Sequence, residues 1–482
     1  MMFRDDKKML AIYSALAFIF IYPLIQAGVF YRDDLDRAIT GQYGWRGLGR
    51  PMADIIMKIL SASGHSNLDL FPFTMIASSV FIGGASLMLA KHLLRYDVPH
   101  VNLVAALLIF NPFFLQNMAY RYDCLGMAIA FFLAVTAYTY TTVSSIRGRS
   151  VKVISGVLSL TLYQPCVNIF IALLAVDIVI LAVKNELNLA KLTKLIFNKA
   201  ILFISFVILY MLFFSSKNNS RGELIPPNRE GMNHLFNTIS SLKDLVTSYF
   251  HGPVYIYFLI PVVITLFVIF FRHRQNKNKI LPLAGYFFIA ALIFLASLMG
   301  PTIFLKDAPV APRAITSFSA ILIVIAIPAV YFLPRMKYIS LIPVITCFAF
   351  SAQLSSALKS QREYEEFVFN MVAQKIISYK DIDTVRTVGQ VNIDERAKLL
   401  EKNKPLIRYF LSPASEFLAS FQLINKGLTQ TKHGYGEEND NRQQLQKMLK
   451  EGIIPVVSNS AYSLYIEKNT ALVKLGSSDI DF

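Results

Sequence analysis

The chain of 482 residues is 55% hydrophobic and 13% aromatic with only 16% charged, and its mean hydropathy of +0.49 excludes an ordinary soluble globular protein. Its formal charge of +16 points to a polyanion partner only until the distribution is read: from Lys359 onward 17 Lys and Arg face 16 Asp and Glu, and before it 30 face 15. The excess therefore lies among the apolar runs, where basic loops set orientation in a membrane, and nucleic acid is not an expected partner.

Arg4, Lys7 and Lys8 precede an apolar run from Met9 to Val29. That run is longer than a secretory core of roughly 7 to 15 residues and no small-residue cleavage site follows, so it reads as an uncleaved anchor. Further runs near Leu70 to Ala90, His100 to Met118, Cys124 to Thr142, Val151 to Gln164, Cys166 to Val183, Ile196 to Ser215, Val254 to Phe271, Ile280 to Gly300, Ile315 to Leu333 and Tyr338 to Leu358 complete about eleven predicted spans, each near the ~20 residues a bilayer requires. Val151 to Val183 is read as a hairpin bent at Gln164-Pro165, because basic residues flank both of its ends. The basic connections then share the side of the N-terminus, and the remaining loops and the tail fall on the other.

Beyond Lys359 the pattern changes. Gln361 to Ile377 repeats apolar positions at helical spacing, Thr384 to Val391 reads as a strand and Asn441 to Lys450 as a polar helix. Pro455 to Ser458, Ala461 to Glu467 and Ala471 to Leu475 read as short strands, the last two as a hairpin. The predicted fold class is a polytopic α-helical membrane protein over 1–358, followed by a soluble α/β domain over 359–482. Cys124, Cys166 and Cys347 form no CxxC pair, and the seven histidines form no HExxH array, so neither residue type predicts a metal site. Asp177, inside a predicted helix, is either functional or a buried partner for a neighbouring helix's polar group.

The densest polar chemistry follows the first apolar run: Tyr31-Arg32-Asp33-Asp34-Leu35-Asp36-Arg37, then the single Trp45, then Gly49-Arg50-Pro51. Neighbouring carboxylates suit a base that takes a proton from an alcohol, and an arginine on a rigid turn suits a phosphate. Acids for a hydroxyl and a guanidinium for a phosphate point to a transferase. On the same predicted side lie Arg121, Arg221, Arg229, Lys306 and Arg313 as further phosphate ligands, with Lys306 and Arg313 favoured by the prolines between them. Tyr163 and Gln164 are either a sugar contact or a turn cap.

The order of apolar helix, Asp33-Asp34, Arg37, Gly41 with Trp45, and Gly49-Arg50-Pro51 resembles the N-terminal signature of the serotype-converting O-antigen glucosyltransferases, and more broadly the GT-C glycosyltransferases. The motif covers about 20 residues of this chain, and the layout of many helices plus a tail is similar throughout. The resemblance implies a bacterial inner-membrane enzyme with a cytoplasmic N-terminus and a periplasmic tail. It implies transfer of glucose from undecaprenyl-phosphate-glucose to a lipopolysaccharide sugar hydroxyl, with inversion, and a divalent cation (Mg or Mn) is an option. Asp33 and Asp34 match the acidic pair, Asp36 is an additional acid, and Arg50 matches the phosphate-side arginine; Arg37 and Trp45 would contact substrate. A lipid-linked sugar flippase and an O-antigen polymerase or ligase are the alternative readings.

Overall fold

The computed structural model describes residues 4–215, 222–273 and 277–477; Arg221 lies outside them. The chain divides into two compact units, one of residues 1–26, 43–63 and 70–352 and one of residues 27–42, 64–69 and 353–482.

The first unit is helical. Among the described residues seven helices are long and apolar enough to cross a membrane: Asp5–Ala27, Phe73–Leu94, Gln164–Val183, Leu189–Phe213, Val254–Arg272, Ile280–Ser297 and Pro334–Ile377. Cys124–Thr139 and Thr316–Phe332 are apolar but shorter, so the predicted count of eleven is not reproduced.

Two of the predicted spans differ for identifiable reasons. His100 to Met118 is no single helix: Val101–Ala106 leads into a 3-10 turn and a break at Phe110, and helix resumes only at Leu115–Ala119. Pro112 lacks the N–H a continuing helix needs, and Asn111 fills the break. Its side-chain amide donates to the carbonyls of Ile315 and Thr316 at 3.2 Å each, and its Oδ1 accepts from Phe113 N at 3.0 Å. Ser145–Leu162 is a helix, but Arg147, Arg149 and Lys152 occupy its first half, and it does not qualify as an apolar span. The stretch read as a polar loop between Ser216 and Pro253 instead contains the helix Arg229–Tyr249, started by Asn228 accepting from Gly231 N at 2.9 Å. Its mixed polarity hid it from a search for apolar runs.

Packing inside this unit brings Phe73–Leu94 against Cys124–Thr139, and Asn168–Val183 against Lys277–Ser297. The first helix approaches Phe73–Leu94 so closely that a Cβ at Gly83 would meet Ser14 N at 2.6 Å; only glycine fits there. Asp177 is buried and partnered on both carboxylate oxygens. Its Oδ1 lies 2.7 Å from His92 Nε2, and Tyr138 donates its hydroxyl to Oδ2 at 2.6 Å. Lys199 Nζ sits 3.4 Å from the Tyr138 ring centre. A charged group among apolar helices is thus satisfied by residues from three other helices.

The second unit is built on a four-stranded sheet of β1 (Thr384–Gly389), β2 (Val457–Ser458), β3 (Tyr462–Glu467) and β4 (Thr470–Leu475), in spatial order β1-β4-β3-β2. β1 and β4 are parallel, with Thr384 opposite Thr470, whereas β4 with β3 and β3 with β2 are antiparallel. β4 is covered on both faces, which explains its nearly unbroken apolar run. Ala471, Val473 and Leu475 join Val368, Phe369 and Val372 in one core, while Leu472 joins Leu445 and Met448 in another.

Val368, Phe369 and Val372 lie in the helix Ile342–Ile377. At ~1.5 Å per residue its 36 residues extend about 54 Å, well beyond a ~30 Å hydrocarbon core. Its C-terminal half therefore lies outside any bilayer and serves the small module as a core helix.

Candidate active site

Tyr31 to Arg37, expected as a loop, contains a short helix, Asp34–Thr40, which stops at Gly41. Helical winding gives the three aspartates different surroundings. Asp33, one residue ahead of the helix, pairs with Arg37 one turn on, its Oδ2 at 3.2 Å from both Nε and NH2. Asp34 is fully buried, and its Oδ2 accepts from Tyr31 N at 3.0 Å while its own N donates to the Tyr31 carbonyl at 3.1 Å. That reciprocal pair fixes the start of the helix.

Asp36 differs again. It is 3% exposed, with Gln42 Nε2 donating to Oδ2 at 2.6 Å and the Thr40 hydroxyl to Oδ1 at 3.3 Å. Gln42 also reaches the Tyr435 hydroxyl at 3.4 Å. The Tyr435 phenol is raised above its ordinary value, first by burial and then by the Asp36 carboxylate. Asp36 lines a cavity, a space of about 30 Å³ shared with Phe30, Arg32, Glu365 and Gln422.

Glu365, absent from the sequence expectations, is the second buried acid here. Its Oε1 accepts from Gln361 Nε2 at 2.9 Å and from Ala414 N at 3.0 Å. Burial pushes the carboxyl from an ordinary 4.5 up to about 7, opposed by those two bonds. Because the folded value lies above the unfolded one, folding takes up a proton. The stability this group contributes is complete below about pH 4.5 and is lost as pH rises through about 7. Thermal melts of the purified protein are therefore expected to show falling stability across that window, with a flatter dependence in Glu365→Gln; parallel curves for the two proteins would contradict it. A signal was present in the sequence: Glu365 sits four residues before Phe369 on the apolar stripe, where a charged residue is out of place.

The arginine-bearing motif belongs to the first unit. Trp45 is buried, receiving a bond from Arg50 N at its carbonyl (3.1 Å), while its own N donates to Asp54 Oδ1 (3.1 Å) and its indole Nε1 to Asp123 Oδ1 (2.6 Å). Asp54 also holds Arg46 at 3.2 Å. Trp45 is thus an anchor for the loop, and Asp54 and Asp123 are its unpredicted partners. Gly49 has φ +72, and a Cβ there would lie 2.5 Å from the Tyr210 hydroxyl; glycine is required on both counts. Pro51 then opens the helix Pro51–Leu60.

Arg50 itself is aimed by two predicted residues. Its Nε donates to Gln164 Oε1 at 2.8 Å, and its guanidinium lies 4.6 Å from the Tyr163 ring centre. Gln164 Nε2 in turn donates to the Leu48 carbonyl at 3.0 Å and the Tyr210 hydroxyl at 2.9 Å. Among the described residues no hydrogen bond falls on the two terminal nitrogens of Arg50. Its fork is held by one nitrogen and presents the other two.

The remaining predicted cations have different surroundings. Arg313 donates through NH1 to the Tyr120 hydroxyl, and its carbonyl accepts from Asn117 Nδ2 at 3.2 Å and the Tyr163 hydroxyl at 3.4 Å. Arg121 is buried with its guanidinium 4.4 Å from the Phe71 ring centre. Lys306 pairs with Glu223 at 3.3 Å on an exposed surface, and Arg229 lies at the start of its amphipathic helix. Among the described residues no three His, Cys, Asp or Glu side chains converge as metal ligands would.

These features define a helical membrane protein with a small α/β module, carrying a buried acid beside a cavity and an oriented, partly unengaged arginine. The chain belongs to the Glucosyl transferase GtrII family, which it matches over residues 22–324, and is therefore a glucosyltransferase. It is also 25% identical over 391 residues to the uncharacterized 55.3 kDa protein in the gtrB 5′ region of Salmonella phage P22, a match covering 77% of this chain and 79% of that one.

Proposed function

We propose that the protein transfers glucose from undecaprenyl-phosphate-glucose to a sugar hydroxyl of the O-antigen, at the periplasmic face of the bacterial inner membrane. The observation that carries this reading is a buried carboxylate, Asp36, lining a cavity in a chain of the glucosyltransferase family. In the step itself the acceptor O–H gives its proton to Asp36 and its oxygen forms a bond to the anomeric carbon. The bond from that carbon to the phosphate oxygen breaks, and polyprenyl phosphate leaves with the electron pair. A phosphate is already a good leaving group, so a second carboxylic acid to protonate it, as in glycoside hydrolysis, is not required. One displacement inverts the anomeric centre.

Asp33 and Asp34 take positioning roles in this reading, the first through Arg37 and the second through Tyr31 N. Arg50 supplies a phosphate ligand through its two terminal nitrogens.

The test is transfer of labelled glucose from a polyprenyl-phosphate donor to purified lipopolysaccharide by the detergent-solubilised protein. Glucosylated product is expected. No product with any polyprenyl donor, together with carrier translocation in vesicles, would support the flippase reading instead. Orientation is checked separately: protease added outside spheroplasts is expected to cut within the module, and full protection would reverse the proposed topology.

A further inference from the structure

A larger cavity of about 100 Å³ adjoins the Asp36 cavity, the two sharing Phe30, Arg32, Glu365, Ser412 and Gln422. By volume it holds several water-sized spheres, which suits a single sugar ring. Its walls combine apolar surface from Phe30 and Phe410 with polar groups from Glu365, Ser412, Gln422 and Asn425. Among the described residues the side chains of Ser412, Gln422 and Asn425 have no hydrogen-bond partner. Both bonds to Glu365 among the described residues fall on Oε1.

The rim is rigid where it counts. Gln361 holds Glu365 with Nε2, donates through the same nitrogen to the Asn392 carbonyl at 3.1 Å, and accepts from Asp394 N at 2.9 Å through Oε1. A carboxyl fixed in this way, beside two amides and a hydroxyl that each donate and accept, matches the paired donors and acceptors of vicinal sugar hydroxyls. The lining also carries charge of both signs, Arg32, Arg362 and Lys426 with Glu365 and Glu366, and Arg362 is engaged by Glu366 and the Gly28 carbonyl at 2.8 Å each.

We propose that this cavity is the subsite for one neutral hexose residue of the acceptor glycan, gripped by Glu365, Gln422 and Asn425 and directed toward Asp36. The inference rests on the glucosyl-transfer reading and adds to it a place and a chemistry for the acceptor. It also gives Glu365 a function that accounts for a carboxyl kept among apolar neighbours.

The probe is lipid-free oligosaccharide released from lipopolysaccharide, titrated calorimetrically into the full-length protein in detergent. Gln422→Ala combined with Asn425→Ala is the principal variant, since Asn425 is exposed and Gln422 half-buried and neither holds the backbone. It is expected to weaken oligosaccharide binding about thirtyfold, the loss of two neutral hydrogen bonds, while affinity for polyprenyl phosphate stays within about twofold. Glu365→Gln tests the third contact, with its melting temperature recorded alongside. Absent binding by the wild type, unchanged affinity in the double variant, or loss confined to polyprenyl phosphate would each overturn the proposal. Because binding of free oligosaccharide needs neither donor nor turnover, binding without transfer would refute the glucosyl-transfer reading alone, and transfer unaffected by these substitutions would refute the subsite alone.

Discussion

Asp36→Asn is expected to lower kcat for glucose transfer by about 10² to 10⁴-fold, the usual contribution of a positioned general base. Asparagine keeps the size of the side chain and one oxygen acceptor, so Gln42 can still donate and the short helix stays formed; what is lost is the capacity to take a proton. Two companion substitutions make the result specific. Asp33→Asn removes a partly exposed ion pair with Arg37, worth at most about 1 kcal/mol, and is expected to change kcat less than tenfold. Asp34→Asn disturbs a buried bond to Tyr31 N and is expected to appear chiefly as lost thermal stability, on the scale of 1 to 3 kcal/mol. Measured kcat and melting temperatures for all three variants decide the assignment. A fully active Asp36→Asn, or a stable but inactive Asp34→Asn, would move the base to another aspartate.

That three neighbouring acids have three distinct surroundings is something the one-dimensional pattern could not disclose. Their position after the first apolar run, and the arginine and tryptophan that follow, were legible because composition changes abruptly there. Which acid faces a cavity depends on helical winding from Asp34 to Thr40 and on residues brought in from far along the chain. Tyr435 lies almost four hundred positions from Gln42, and Glu365 and Gln422 come from two different helices.

The same distinction governs the fold. The strands of the module were legible as short runs of apolar and β-branched residues, and the hairpin of β3 and β4 emerged at the turn residues Lys468-Asn469-Thr470 between two of them. The break inside His100 to Met118 was marked by Asn111-Pro112, yet length and hydropathy alone carried the prediction across it. The helix Arg229–Tyr249 escaped because an amphipathic helix has no apolar run. Aligned apolar length identifies candidate spans well; it does not count them where a helix is short, interrupted or polar on one face.

Arg50→Lys is expected to reduce kcat/KM for the polyprenyl-phosphate donor by about 10 to 100-fold, although the charge is retained. The reason is geometric. Gln164 binds Nε and Tyr163 lies against the guanidinium plane, so the side chain is already oriented and its two terminal nitrogens can grip phosphate together. Lysine offers a single ammonium on a flexible stem and cannot make the bond to Gln164 while reaching the same phosphate. Charge-assisted hydrogen bonds contribute roughly 1.5 to 3 kcal/mol each, and 1.4 kcal/mol is a factor of ten, which places the loss of one such bond in that range. The change should appear in the donor dependence with acceptor KM little altered. Gln164→Leu then isolates orientation from charge: it leaves Arg50 present but unaimed, and a loss intermediate between wild type and Arg50→Lys is expected. A loss below threefold in Arg50→Lys would mean that positive charge alone is used at this position, and the bidentate role would have to be abandoned.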